Sequence, residues 1–245
     1  MKPMLIFDYD GTLHETMYIY RPAIEKVVRY LNEERRYAVK MPSDRRISSW
    51  LGMSTADMWQ DFMPALPAEE KEKAGKVVGG YMQQALLEGK ARWYRGVPEM
   101  LDELCKKGYI LIILSNCSVS YAKAQWSVFK MDRWFSAFFD CESYGGIPKE
   151  QILEIILAGF PGEFRRAQVK NDRFVPDGVP EKYLVIGDRD SDAAAAKRVG
   201  APFIGCAYGY GTEEELRNAD IIVRSPAEIV PAAEMVLKKR HTINC

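Results

Sequence analysis

The stretch LIFDYDGTL, residues 5–13, runs from apolar residues straight into two aspartates one residue apart, then glycine and threonine. A strand that served only packing would end in any turn-forming pair. Two neighbouring carboxylates repel each other, so their presence calls for a compensating charge. The same grammar recurs along the chain, in short runs rich in Ile, Leu, Val and Phe that stop at a polar or small residue: YILIILSN (109–116), AFFD (137–140), YLVIGD (183–188), PFIGC (202–206) and DIIV (220–223).

Amphipathic stretches of helical spacing lie between most of these runs. VPEMLDELCKKG (97–108) places Val97, Met100, Leu101 and Leu104 on one face and stops at Gly108. SDAAAAKRVG (191–200) offers Ser191 as an N-cap, an alanine run and a terminating glycine. Strands alternating with helices predict an α/β fold, a Rossmann-like three-layer α/β/α core with a mainly parallel sheet.

One region breaks the rhythm. Residues 15–90 hold no convincing strand, while IEKVVRYLNEERR, TADMWQDFM and EEKEKAGKVVGGYMQQALLEG are helical in pattern and are punctuated at Pro42, Gly52, Pro64 and Pro67. A crossover needs a single helix, so about 75 residues here predict an inserted all-helical cap domain (15–90) on a core formed by 1–14 and 91–245. The polar segment RRAQVKNDRFVPDGVPEK (165–182) is expected to be an elaborated surface loop.

Composition excludes several classes. Lys+Arg and Asp+Glu are equal at 34 each, which gives no basic surplus for nucleic acid, and LKKRH near the C-terminus reads as a solvated helix end. No run approaches the ~18 apolar residues of a membrane span. MKPMLIF is too short and too soon interrupted by Asp8 for a signal peptide. The five cysteines, at 105, 117, 141, 206 and 245, form no CxxC pair and suit a reducing compartment. The expectation is a soluble cytoplasmic protein without nucleic-acid or membrane partners.

Ligands of open α/β sheets gather at the carboxyl ends of the strands. There the sequence puts Asp8 and Asp10, Ser115 and Asn116, and Asp188, Asp190 and Asp192, with Lys149 in a loop after AFFD. Several carboxylates, a hydroxyl, an amide and an ammonium suit phosphoryl transfer onto a carboxylate. Anion meets anion in that reaction, and Mg²⁺ among oxygen ligands supplies the missing positive charge. Asp8 and Asp188 plus a backbone carbonyl are expected to hold the ion. Lys149 would grip phosphate and nucleophile together, and Ser115 with backbone N–H groups would bind phosphate oxygens. Repulsion between Asp8 and Asp10 would leave one ionised to attack and the other protonated for the leaving alkoxide. Gly11 lets the backbone pass close to the phosphate. A calcium loop needs glycine sixth and glutamate twelfth; counted from Asp8 those places hold Leu13 and Ile19.

DYDGT at 8–12, LSN at 114–116, Pro148-Lys149 and GDRDSD at 187–192 occur in that order. This series resembles the four motifs of the haloacid dehalogenase-like hydrolase superfamily, in its phosphatase branch. GYG at 209–211 with TEEEL is similar to the phosphoglycolate phosphatase-like subgroup, and the 15–90 insert to its type-one cap. The resemblance implies Asp8 as nucleophile, Asp10 as general acid/base, Asp188 as Mg²⁺ ligand and Asp192 as direct or water-mediated support, with Asp190 ranked below both. The candidate sets are therefore Asp8, Asp10 and Lys149 for catalysis; Gly11, Thr12, Ser115, Asn116 and Lys149 for substrate; and Asp8, Asp10, Asp188 and Asp192 for metal. Lysine after proline departs from the usual order of the third motif. The implied activity is Mg²⁺-dependent hydrolysis of a small phosphorylated metabolite through an aspartyl phosphate. Phosphoglycolate, sugar phosphates, nucleoside monophosphates and pyrophosphate stay open as substrates. A phosphosugar mutase and a non-catalytic binding protein on the same scaffold are the alternatives.

Outside the motifs, His14 reads as a hinge or surface group at the cap entry and Arg189 as a surface or helix-start charge. Trp50, Met53, Met58, Trp59 and Phe62 read as cap core before substrate box. Arg45 and Arg46 are set either on a solvated face or against a substrate anion.

Overall fold

The apolar runs become strands, and every pairing between them is parallel. The structure, a computed structural model, describes residues 3–159, 180 and 182–243, with side chains followed as far as Lys238. The strands are β1 (Met4–Phe7), β2 (Ile110–Ser115), β3 (Phe135–Asp140), β4 (Tyr183–Gly187), β5 (Phe203–Cys206) and β6 (Ile221–Val223), in the spatial order β3-β2-β1-β4-β5-β6. In-register contacts such as Phe7 with Ile113 and with Ile186 align the ends of the three central strands.

Sheets buried on both sides need apolar residues at every position, which is why these runs do not alternate. Side chains still point alternately to opposite faces. Leu5, Phe7, Leu111, Ile113, Leu184 and Ile186 therefore enter one core with helices α5 (Val97–Lys106), α6 (Val119–Phe129) and α10 (Ile229–Ile243). Met4, Ile6, Ile112, Leu114 and Val185 enter the other with α7 (Lys149–Ala158), α8 (Asp190–Arg198) and α9 (Glu213–Leu216). Each fully buried Leu, Ile or Phe contributes about 1.5–3 kcal/mol. Phe7, wholly buried and edge-on to Phe135 at 6.0 Å, is a position where truncation to alanine costs about 3–5 kcal/mol.

Between β1 and α5 the described chain is helical: α1 (Met17–Glu33), α2 (Asp44–Ser49), α3 (Thr55–Phe62) and α4 (Ala68–Leu87). They bury a cluster of their own around Ile24, Val27, Leu31, Ile47, Trp50, Trp59 and Phe62. Two readings change here. The first helix begins at Met17, seven residues before the expected pattern, and carries Pro22 inside it. The proline deletes one intrahelical hydrogen bond, which burial of Ile19, Ala23 and Ile24 outweighs. The six-residue α2 is too short for a 3.6-residue period to show, and is marked instead by Ser43, whose hydroxyl caps Arg46 N–H at 3.3 Å.

α5 buries Val97, Met100, Leu101 and Leu104 as the spacing requires, and Gly108 follows it at φ 82°. In α8 the cap is displaced: Arg189 is the N-cap and Ser191 lies inside the helix. Asp192, third in the helix, accepts from Arg189 N–H at 3.0 Å, the reciprocal half of a capping box. The expected loop at 165–182 lies outside the described residues except for Pro180 and Lys182. Cys117, Cys141 and Cys206 are free thiols. Among the described residues no helix is long and apolar enough to cross a membrane.

Candidate active site

Strand order reverses on either side of β1, so the loops leaving β1, β2 and β4 diverge around one crevice. Asp8 follows β1, Ser115 ends β2 and Asp188 follows β4. Asp192 joins them from the first turn of α8. Lys149, expected in a loop, is instead the first residue of α7, directly after Pro148. A proline suits that entry because helix starts leave backbone N–H groups unpaired.

The four side chains meet. Lys149 Nζ donates to Asp8 Oδ1 at 2.7 Å and to Asp192 Oδ1 at 2.6 Å. Asp8, Asp188 and Asp192 each place a carboxylate oxygen within 4.8 Å of the other two. All four residues are at most 6% exposed. A pair of charges at that separation repels by about 3 kcal/mol even with generous screening. Three carboxylates against one ammonium therefore leave an excess of negative charge.

The acidities record this. Asp8 lies well above the ordinary carboxylate range, first through burial; Lys149 works against that shift, and Asp192 and Asp188 reinforce it. Asp188 is pushed up to about 7 by burial and then by Asp192, with the Tyr210 N–H opposing. Burial acts to lower Lys149, but Asp192 and Asp8 outweigh it and hold the ammonium above its usual value. The repulsion acting on Asp8 thus comes foremost from Asp192 and Asp188. Oxygen-only donors, close together, buried and short of positive charge, fit a hard divalent cation.

Space is reserved for this geometry. Gly11 sits at φ 97°, and a Cβ there would overlap the Asp188 carboxylate. The expected reason for this glycine, room for a phosphate, is thus joined by room for a carboxylate. A Cβ at Gly187 would strike Asp192, and one at Gly209 or Gly211 would strike Asp188. Asp188 is further fixed by the Tyr210 N–H at 2.6 Å and Thr12 Oγ1 at 3.3 Å. Thr12, expected to touch substrate, spends its hydroxyl on Asp188.

The model of the haloacid dehalogenase-like hydrolase family matches residues 5–206. The chain belongs to that family. Among its curated relatives, a 5′-nucleotidase of Pseudomonas aeruginosa is 27% identical over 219 residues, spanning 88% of this chain and 87% of that protein. A phosphoglycolate phosphatase of Shigella dysenteriae is 24% identical over 254 residues, spanning 92% and 90%. The fold matches that of a haloacid dehalogenase-like hydrolase from Streptococcus pneumoniae (TM-score 0.74, 19% identity, 94% and 98% coverage). It also matches a structure described as a predicted phosphoglycolate phosphatase from Haemophilus somnus (TM-score 0.75, 20% identity, 95% and 98% coverage).

In this haloacid dehalogenase-like hydrolase the second aspartate stands apart from the first. Asp10, expected among the metal ligands, is not one of the three clustered carboxylates. Its Oδ1 accepts from Thr16 Oγ1 at 2.6 Å and Tyr121 OH at 2.7 Å, with His14 Nδ1 at 3.3 Å. The tight turn after β1, closed by Leu13 and His14 N–H groups on the Tyr9 carbonyl at 2.9 Å, rotates it away from Asp8. His14 is fully buried and stacked on Tyr9 at 5.3 Å, not at the surface.

Thr16 and Tyr121 were not anticipated. Tyr121 lies 111 residues from Asp10 on a helix whose sequence carries no motif. Thr16, six residues downstream, left only the signal of a second small hydroxyl residue after DYDGT.

Ser115 ends its strand almost completely buried. Asn116, expected on substrate, donates Nδ2 to the Gly52 carbonyl at 2.8 Å and so ties the α2–α3 turn to the sheet. Arg189 begins α8 as expected but is mostly covered: its Nε donates to Glu215 Oε1 at 2.8 Å and its guanidinium also meets the Leu51 carbonyl. Arg46 is spent on Asp61 at 3.3 Å.

Proposed function

We propose that the chain is a magnesium-dependent phosphomonoester hydrolase working through a phosphorylated Asp8. The observation that carries this reading is Lys149, whose ammonium bridges Asp8 and Asp192 inside a buried group of three carboxylates. A structural ion pair needs one carboxylate, and the surplus acids serve stability badly. When bound among Asp8, Asp188 and Asp192, Mg²⁺ supplies positive charge that lets a carboxylate approach a phosphate ester.

The residues divide the work. A carboxylate oxygen of Asp8 forms the bond to phosphorus as the ester P–O bond breaks. Asp10 gives its proton to the departing alkoxide, so a neutral alcohol leaves. A water then attacks phosphorus, Asp10 takes one of its protons, and the Asp8–phosphorus bond breaks to release inorganic phosphate. Thr16 and Tyr121 both bond Asp10 Oδ1, which leaves Oδ2 for the leaving group and the water. Lys149 steadies the charge on phosphate, and the Ser115 hydroxyl with N–H groups after β1 receives its remaining oxygens. Helices α1–α4 act as the cap (residues 15–90), which excludes water when closed and releases the alcohol when open.

The substrate is a small phosphorylated metabolite, in keeping with the 5′-nucleotidase and phosphoglycolate phosphatase names among the relatives. Phosphate release from p-nitrophenyl phosphate tests the reading. Activity should require Mg²⁺, disappear with chelator and be abolished in folded Asp8→Asn. Phosphate release by that variant at the parent rate would refute the assignment.

A further inference from the structure

A cavity of about 330 Å³ lies between α1, α3 and α4 on one side and the carboxyl end of β2 on the other, and Asp10 forms part of its wall. That size is ordinary for a small-molecule site. Its wall is aromatic and apolar, with Tyr20, Trp50, Met58, Trp59, Val78 and Met82. Among the described residues lining it none is Lys, Arg or His. Two basic groups of this region are committed elsewhere, Arg46 to Asp61 and Arg189 to Glu215. A carboxylate brought into this space would meet Asp10 and no counter-charge, a combination that burial penalises heavily.

Two further observations define what the cavity accepts. Trp59 is 3% exposed, and its indole N–H has no hydrogen-bond partner. Buried donors without acceptors are uncommon, and a ligand acceptor relieves them. Gly75 and Gly79, one turn apart on α4, also line the wall, and a Cβ at Gly79 would meet nothing within 4 Å. Glycine weakens a helix, so two of them on this wall mark volume kept clear of side chains.

We propose that this cavity selects phosphomonoesters of uncharged alcohols bearing a flat ring with a hydrogen-bond acceptor, of which nucleosides are one kind, and rejects carboxylate-bearing alcohols such as glycolate. The ring lies among Trp59, Tyr20 and Met58, and its acceptor meets the indole N–H. The selectivity rests on the phosphatase reading above, whereas occupancy of the cavity does not.

Two measurements separate them. In steady-state hydrolysis with Mg²⁺, nucleoside 5′-monophosphates should exceed phosphoglycolate in kcat/KM by more than about tenfold. Gly79→Leu, which favours the helix and fills open space, should lower kcat/KM for nucleoside monophosphates by about tenfold or more. Equal or better use of phosphoglycolate overturns the proposal. The second measurement is quenching of tryptophan fluorescence by adenosine and, separately, by glycolate, which needs no turnover. Adenosine should quench the parent and bind about tenfold more weakly to Trp59→Phe, which keeps an aromatic side chain and removes the N–H. Quenching without hydrolysis of any ester would support the cavity's ligand class and refute the phosphatase reading. Absence of quenching by adenosine would overturn the inference even in an active enzyme.

Discussion

Replacing Asp188 by asparagine should make the metal-free protein more stable, although it removes a residue of the site. The buried carboxyl titrates near pH 7 in the fold, against 3.8 for the free side chain. Because the shift is upward, the folded state holds this proton more tightly than the unfolded state does. Stability contributed at this position is therefore present below about pH 4, falls as pH rises towards 7, and is flat above that. A difference of about three pKa units corresponds to a loss of about 4 kcal/mol across the window. Asparagine keeps the size, its Oδ1 accepts from the Tyr210 N–H, and its Nδ2 donates to the Thr12 hydroxyl oxygen in place of the bond that hydroxyl now gives. In a chain of this length the gain appears as a rise in Tm on the order of 10 °C at pH 8. Thermal unfolding of parent and Asp188→Asn, both in chelator from pH 4 to pH 8, reads this directly. The two curves should meet at pH 4 and separate towards pH 8, and added Mg²⁺ should raise the parent's Tm and leave the variant's in place. A variant no more stable than the parent at pH 8, or a gap independent of pH, would refute the reasoning that surplus negative charge strains this site.

Other consequences are as specific. Tyr121→Phe removes one of the hydroxyls that aim Asp10 and should cut kcat about tenfold with KM little changed, so a fall confined to KM would remove Tyr121 from that role. Asn116→Ala frees the Gly52 carbonyl and should loosen the α2–α3 turn at a cost of about 1 kcal/mol, seen as faster amide exchange at 51–54; unchanged exchange would deny the tether. Glu70 is held below its usual carboxylate range chiefly by hydrogen bonds from Arg35. That stabilisation exists above the unfolded pKa and is lost as pH falls through the folded one. Glu70→Gln should therefore destabilise at pH 7 and converge with the parent in acid, and a gap that persisted in acid would point to packing instead.

The strands and the clustered acids were legible because both depend on short sequence signals. An unbroken apolar run is what a doubly covered strand requires, and an acid directly after it can only stand at the sheet's carboxyl edge. Asp8 and Asp188 were readable on that ground, Asp192 and Lys149 through their place in a series of motifs that resembles the family's, and the four do converge. What Asp10 does was less readable. Adjacency in sequence implied repulsion from Asp8, yet the turn closed on the Tyr9 carbonyl points it to Thr16 and Tyr121. Thr12 and Asn116 sit inside motifs but hold neighbouring parts of the protein, because a hydrogen-bonding side chain close to the site serves the nearest unpaired group. The short α2, the early start of α1 and the cavity with its unpaired indole arise from tertiary packing of the helical segment, which no local pattern encodes.

Rapid acid quench of the enzyme during turnover, followed by borohydride reduction and peptide mass mapping, tests the central claim most directly. Reduction of an acyl phosphate should convert Asp8, and no other acid, to homoserine. Intact Asp8 in enzyme quenched while releasing phosphate, or modification at a different carboxylate, would contradict the account.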